Sequence, residues 1–342
     1  MRNPKIPSVL ILGARGRFGL AAARAFALAG WRVLGQMRPG ATAPALAGVT
    51  WLAQDVFDTP ALAAACADVQ VVLHALNPPY SNRHWQEQAP ALMDAAVRVT
   101  RQLGATLMLP GNVYNFGTGM PSVLHEDSPQ RPDTVKGHVR VALEQRLEQA
   151  TRDGGMRAVV LRAGDFFGGG TGSWFDQAIT SQLRHGKLVY PGGPGIRTPW
   201  VFLPDLAQAF VQVAQARERL GAFATLHFAG YSIGAEEWLE ALNPVAREHG
   251  WVKPGTSLKL GSLPWTLIRL GSSVRPGWAA LTEMRYLWRT PHALANERLN
   301  ALIGAEPHTP LAQAVRAALG QLGLSPGNAQ RATTFAGAAV PR

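Results

Sequence analysis

The chain has 342 residues, 47% hydrophobic and 16% charged, which suits one large α/β domain or a domain with a smaller lobe and argues against disorder. Its net charge of +11 comes from 33 basic and 22 acidic side chains, but the bases are scattered, which favours an anionic ligand or a mildly basic surface over a nucleic-acid patch. The single cysteine, Cys66, excludes an internal disulfide and a cysteine metal cluster, and the nine histidines show no HExxH-like spacing, so no metal is expected.

In chain order, a buried strand is predicted at 8–12, with no signal peptide before it. A helix follows at 16–29, then strands at 32–37 and 49–53, and a short helix from residue 59. A fourth strand at 69–73 precedes a helix at 84–103 and a fifth strand at 105–109. The next helix spans 134–151, with Thr134 as its cap and Val135, Val139, Leu143 and Leu147 on one apolar stripe. A sixth strand is expected at 156–162. This alternation implies an α/β fold, a Rossmann doubly wound parallel sheet with helices on both faces. Beyond Gly168 the chain turns glycine- and proline-rich around a helix at 174–184. A strand and helix in "VFLPDLAQAFVQVAQ", a late strand "TLHFAG" and a mostly helical stretch, 234–323, complete it. The expected division is 1–168 for the nucleotide-binding domain, 169–324 for a smaller, mostly helical C-terminal lobe with some elements returning to the sheet, and a loose tail at 325–342. The apolar stretch 20–31 is interrupted by Arg24 and too short to span a bilayer, so the cytoplasm is the expected location, with no membrane partner.

"VLILGARGRFG" places Gly13, Gly16 and Gly19 between the first strand and the first helix. In that setting the first glycine permits a tight turn. The second lets backbone approach a pyrophosphate at a helix N-terminus, and the third lets helix and strand pack closely. An NAD site usually has an acid at the end of the second strand, about 20 residues on, for the ribose 2′-OH. Here "VLGQMRPG" has none and offers Arg38, with Arg15 inside the loop. Two guanidiniums suit a 2′-phosphate, so NADP(H) is expected over NAD(H).

With these residues the chain resembles the extended and atypical short-chain dehydrogenases/reductases, the NAD(P)-dependent epimerase/dehydratase group, over roughly 7–320. The resemblance extends the cofactor site to Arg17 and Phe18 in the loop and to Asp55 and Val56 of "QDVFD" at the adenine. It adds Ala75, Leu76 and Asn77 of "VVLHALNPP" at the riboses, Gly111 of "LPGNVYNFG", and Ala163 and Asp165 of "VLRAGDFFG" beside the nicotinamide. The family's chemistry rests on a Ser or Thr and on a YxxxK pair. Here the Ser/Thr slot, four before Tyr114, is Pro110, and the YxxxK slot falls on Lys136-Gly-His-Val-Arg140. The resemblance therefore implies that Arg140 binds ribose (and Lys136 the cofactor) and that Lys136 stands where the proton donor belongs. Burial and the neighbouring guanidinium would both lower its pKa. Tyr114 and Asn112 are the alternatives for donor and oxygen-orienting group.

Weaker candidates remain. Asp165 is read as facing the nicotinamide pocket and contacting substrate. Glu126 and Asp127 belong to a surface loop, and His74 packs at a strand end. Trp174, Phe175 and Trp200 either cover the pocket or form the core of the second lobe, and Tyr80 borders the cleft. The helices 84–103 and 134–151 suggest a homodimer surface, with a monomer as the alternative. The expected function is an NADP(H)-dependent oxidoreductase acting on a carbonyl or hydroxyl of a small molecule. The alternatives are an NADP(H)-binding regulator without turnover and a sugar-nucleotide epimerase or dehydratase.

Overall fold

The structure, a computed structural model, describes residues 6–271 and 276–324; the expected tail lies outside them. In chain order come β1 (Ser8–Leu12), α1 (Arg17–Leu28), β2 (Arg32–Met37), β3 (Val49–Ala53), α2 (Thr59–Ala65), β4 (Val71–His74), α3 (Asn82–Leu103) and β5 (Thr106–Gly111). Next are β6 (Val123–Leu124), α4 (Val135–Ala150), β7 (Arg157–Arg162), β8 (Asp165–Phe167), β9 (Lys187–Tyr190), β10 (Thr198–Phe202), α5 (Leu203–Ala216) and β11 (Phe223–His227). The last part contains β12 (Tyr231–Ile233), α6 (Ala235–Glu248), β13 (Lys259–Ser262), α7 (Trp265–Leu270), α8 (Pro276–Glu283), β14 (Ala293–Leu294), α9 (Glu297–Ile303) and α10 (Leu311–Gln321).

Seven strands form one parallel sheet in the order β11-β7-β5-β4-β1-β2-β3. Because β1 has apolar neighbours above and below, all five residues of "SVLIL" are buried, as a sheet covered on both faces requires. The chain winds outward from β1 to β3, then returns to β4 on the other side of β1. That reversal opens a crevice at the carboxyl ends of β1 and β4, where doubly wound folds bind ligands. One face is covered by α1, α5 and α9, with Phe18 against Phe210 at 5.0 Å between ring centroids. The other is covered by α2, α3 and α4 through Leu62, Met93, Val99, Leu143 and Leu147. Thus α5, β11 and α9 return to the sheet from beyond residue 168. Leu143 lies in this second core and the partly buried Val139 packs against it.

The remaining elements form two further cores. Phe167, Phe175, Trp200, Trp238 and Trp288 build the larger one, with Trp200 and Trp238 edge-on at 5.0 Å. Phe175 and Trp200 are therefore core, not pocket cover. Val113, Phe116, Tyr286 and Leu294 build the smaller one, beneath the crevice lip. The helix expected at 174–184 is instead a π-type turn at Phe175–Ile179 and a 3₁₀ turn at Leu183–His185. Thr180 bonds back through its hydroxyl to the Phe175 carbonyl at 2.9 Å, and Gly186 in the left-handed region ends the second turn. The stretch 234–323 is mostly helical, but β13 pairs in parallel with β9.

Candidate active site

The loop after β1 is built around missing side chains. Gly13 has φ +74°, and a Cβ there would lie 3.1 Å from the Ala75 carbonyl oxygen. A Cβ on Gly19 would lie 2.5 Å from the Gly13 carbonyl oxygen, so this glycine sets the distance between α1 and the loop. A Cβ on Gly16 would meet the Gly13 oxygen at 3.3 Å and the Ala75 oxygen at 3.8 Å, looser than at Gly13 or Gly19, so its bareness concerns what lies outside the loop. α1 starts at this point without a side-chain cap, which leaves first-turn N–H groups for an anion. The loop thus fits a dinucleotide pyrophosphate. Gln36 fixes it from β2: its Oε1 accepts from Gly13 N at 3.0 Å, and its Nε2 donates to the Gln54 carbonyl at 2.7 Å. A glutamine inside the apolar strand "RVLGQM" is the sequence signal for this role.

Arg15 and Arg38 flank the loop, both exposed and without a hydrogen bond or ion pair among the described residues. Arg17 is directed elsewhere: it donates to the Gly168 carbonyl at 2.7 Å and the Gly172 carbonyl at 3.3 Å, tying the glycine loop to the segment after β8. Burial lowers its pKa, and Asp176 opposes that. Phe18 is packed in the core. Asp55 accepts from Phe57 N at 3.0 Å at the exposed end of β3, with Val56 buried beside it. Ala75 and Leu76 line the end of β4, and Asn77 is exposed. A Cβ on Gly111 would lie 2.6 Å from Arg162 Cγ, so that glycine serves packing. Ala163 is fully buried.

Thr134 caps α4 by accepting from Gly137 N at 3.1 Å. The two cations of α4 then separate. Lys136 is fully buried, and its Nζ donates to Asn82 Oδ1, lies 3.6 Å from a Glu283 oxygen and sits 4.5 Å over the Tyr80 ring. Glu283 also accepts from Val135 N. Burial lowers the Lys136 pKa and Glu283 raises it; the Arg140 charge, expected to lower it as well, is not among the causes. Arg140 stacks 4.9 Å from the Trp85 ring and donates weakly to the Pro110 carbonyl at 3.4 Å. Its Nε is buried without an acceptor, a donor that a ribose hydroxyl would satisfy. Asn112 folds back to accept from Tyr114 N at 3.0 Å.

The Tyr80 and Tyr114 rings both pack against Trp85, with ring centroids 6.4 Å away in each case. Tyr114 is pushed up to about 12, first by burial and then by the charge of Asp165, with Tyr80 and Arg140 opposing. Asp165 stands at the start of β8, and burial raises its carboxyl to about 7. The structure therefore gathers Lys136, Arg140, Tyr80 and Tyr114 around Trp85. Asn82, Trp85 and Glu283 were not anticipated; Glu283 is 148 residues from its α4 partner, beyond any local pattern.

His74, at the end of β4, is buried with both ring nitrogens unpartnered and a pKa lowered to about 4, chiefly by burial. Glu126 accepts from His227 N at 3.2 Å and, with Asp127, meets Arg298, away from the cleft. No cluster of metal-ligating side chains exists among the described residues, and no helix there is long and apolar enough to cross a membrane.

The fold is shared with solved structures, one of them a UDP-sugar 4-epimerase. The UDP-Glc/GlcNAc 4-epimerase from Campylobacter jejuni superposes with a TM-score of 0.69 at 14% identity, covering 92% of this chain and 98% of its own. The Bordetella bronchiseptica enzyme WbmH, solved with NAD+, gives 0.68 at 18%, again over 92% and 98%. MoeE5, solved with UDP-glucose and NAD, gives 0.67 at 17% over the same shares. No curated protein matches the sequence. The profile of the NAD dependent epimerase/dehydratase family matches residues 9–225, more than half of the chain. By that match, and with the glycine loop and parallel sheet in place, the chain belongs to the NAD dependent epimerase/dehydratase family.

Proposed function

We propose that this chain binds a nicotinamide dinucleotide on the glycine loop and catalyses epimerase- or dehydratase-type hydride transfer on a small molecule. The observation that carries this reading is one of position. The uncapped start of α1, behind Gly13, Gly16 and Gly19, opens at the same carboxyl end of the sheet as Tyr114, Arg140 and Asp165. The dinucleotide would supply the hydride acceptor and donor. Arg140, with its unpaired Nε, would hold a ribose hydroxyl. Arg15 and Arg38 would take a 2′-phosphate, which makes NADP(H) the preferred cofactor.

Tyr114 is the better proton carrier. Lys136 is consumed by Asn82 and Glu283, and it acts by holding the Tyr80 ring. Family membership and the likeness to sugar-nucleotide enzymes support the epimerase or dehydratase reading over net oxidation or reduction. A net NADPH-dependent reductase is the second reading, favoured by the two free arginines, since a 2′-phosphate cofactor suits reduction.

The test is to identify the dinucleotide released from purified protein, then follow UDP-glucose by NMR alongside NADPH absorbance on a carbonyl panel. Isomerised or dehydrated sugar without net cofactor change supports the first reading. Net NADPH loss supports the second. Failure to bind either dinucleotide sinks both.

A further inference from the structure

Exposed apolar side chains and unanswered positive charge meet on one face of this molecule, at β13 and α7. Elsewhere among the described residues the large exposed hydrophobics stand singly, at Ile6, Leu28, Phe57, Tyr80 and Val123. Leu260, Leu267 and Leu270 instead fall in one short segment, 46%, 62% and 69% exposed. The helix α7, "WTLIRL", has no buried residue. It is nevertheless anchored from behind. Trp265 Nε1 donates to the Pro191 carbonyl at 2.8 Å, its ring lies 6.3 Å from that of Trp174, and the Arg285 guanidinium stands 5.4 Å over it. At about 100° per residue, Trp265 and the partly buried Ile268 share the anchored side of the helix. Leu267 and Leu270 share the opposite side, with the exposed Arg269 between the two.

The charge is equally one-sided. From His249 to Thr282 the sequence contains no acidic residue, while Lys253, Lys259 and Arg269 are all exposed. Lys187 joins them from β9, because it is the register partner of Lys259. The ammonium groups of Lys187, Lys253 and Lys259 have no hydrogen bond or ion pair among the described residues. Like charges side by side on paired strands are destabilising, and an anion from outside the chain relieves them. A leucine pair rimmed by cations and free of acids is complementary to a bilayer surface with anionic headgroups. The leucines enter the acyl boundary, and the cations meet phosphates or act on them across a Debye length. A second copy suits the face less well, since a two-fold contact would set these cations against themselves. We propose that the β13–α7 face docks on an anionic membrane surface, with Leu267 and Leu270 inserted and the neighbouring cations at the headgroups. No described helix is long and apolar enough to cross a bilayer, so the contact is with one leaflet. The proposal is independent of the hydride-transfer reading above.

The experiment is co-sedimentation of the full chain with vesicles of phosphatidylcholine containing phosphatidylglycerol, set against pure phosphatidylcholine. Binding to the anionic vesicles should be at least about ten-fold tighter than to the neutral ones and should weaken in high salt. The double variant Leu267→Ser, Leu270→Ser carries the same charge and removes the apolar ridge. It should bind the anionic vesicles at least about ten-fold more weakly, with an unchanged circular dichroism spectrum. Leu267→Ser alone reads the same arm, at about three-fold or more, if the double variant does not fold. No binding to the anionic vesicles, or equal binding to both kinds, overturns the proposal. So does undiminished binding by a folded leucine variant, because the attraction would then be charge alone. Sedimentation velocity without lipid is expected to give parent and variant the same mass. A parent dimer that the variant dissociates overturns the proposal by assigning the leucines to a second copy.

Discussion

At the scale of single residues, the cleft is decided by which charges are already spoken for. Lys136 and Arg140 are one helical turn apart, and as a pattern they look like a repulsive pair. In the fold they are drawn to different partners, Lys136 to Glu283 and Asn82, Arg140 to Trp85 and Pro110. Their position in the cleft was legible from the motif, but their partners were not, because Glu283 reaches α4 from a remote helix. If Tyr114 carries the proton, Tyr114→Phe should lower turnover by roughly 10²-fold or more, the usual scale of general acid–base loss. Lys136→Met should cost less and should shift the pH profile little, since it removes a positioning contact. The reverse order in a steady-state assay would return the proton to Lys136. Arg15 and Arg38, by contrast, have no partner among the described residues to lose. Each should add about 1.5–3 kcal/mol to a 2′-phosphate through charge-assisted contacts. A fluorescence titration should therefore find NADPH at least ten-fold tighter than NADH. Arg38→Ala should narrow that gap and leave NADH unchanged; equal affinities in the parent protein refute the assignment.

At the scale of elements, the glycine loop separates two kinds of glycine that sequence treats alike. Gly16 borders open space on its outer side, while Gly19 is pressed against the Gly13 carbonyl. Gly16→Val should leave the protein folded and abolish binding of both dinucleotides, read by circular dichroism beside a binding titration. Gly19→Ala should instead be destabilising, by about 1–3 kcal/mol, the usual cost of overpacking, since a Cβ would sit 2.5 Å from backbone oxygen that cannot yield. Normal NADPH binding by a folded Gly16→Val protein would displace the cofactor from this loop. The strands of the first half were legible because buried parallel strands are short apolar runs bounded by turns. β8, β9, β12, β13 and β14 were not, since strands of two to four residues carry no period to read. The turn at 175–179 looks like regular helix in sequence because its apolar residues, Phe175, Ala178 and Ile179, keep helical spacing.

At the scale of the whole molecule, α5, β11 and α9 return from the second half to finish the sheet, so the two halves of the sequence share one core on the α1 face. Packing of this kind makes stability a property of the entire chain, and the pH dependence of unfolding then sums every buried titrating group. His74 and His292 are lowered to about 4 and His227 to about 3, chiefly by burial. The unfolded chain binds their protons from about pH 6.5 downward while the native state does not, so these three reduce stability as pH falls from about 6.5 toward 4. Asp165 works in the opposite sense. Its folded pKa of about 7 stands above the value of ~3.9 for a free aspartate, so the native state holds a proton that the unfolded chain has released. Its unfavourable contribution is absent below ~3.9, grows as pH rises, and is complete above about 7. Subtracting Asp165→Asn from the parent protein cancels the histidines, which both share. Without ligand, the variant should be the more stable of the two at pH 8, and its advantage should exceed that at pH 5 by roughly 2–3 kcal/mol, at 1.36 kcal/mol per pKa unit over the interval. Urea unfolding of both proteins at the two pH values measures this directly. An advantage that is the same at pH 5 and pH 8 would mean that Asp165 ionises like a surface carboxylate.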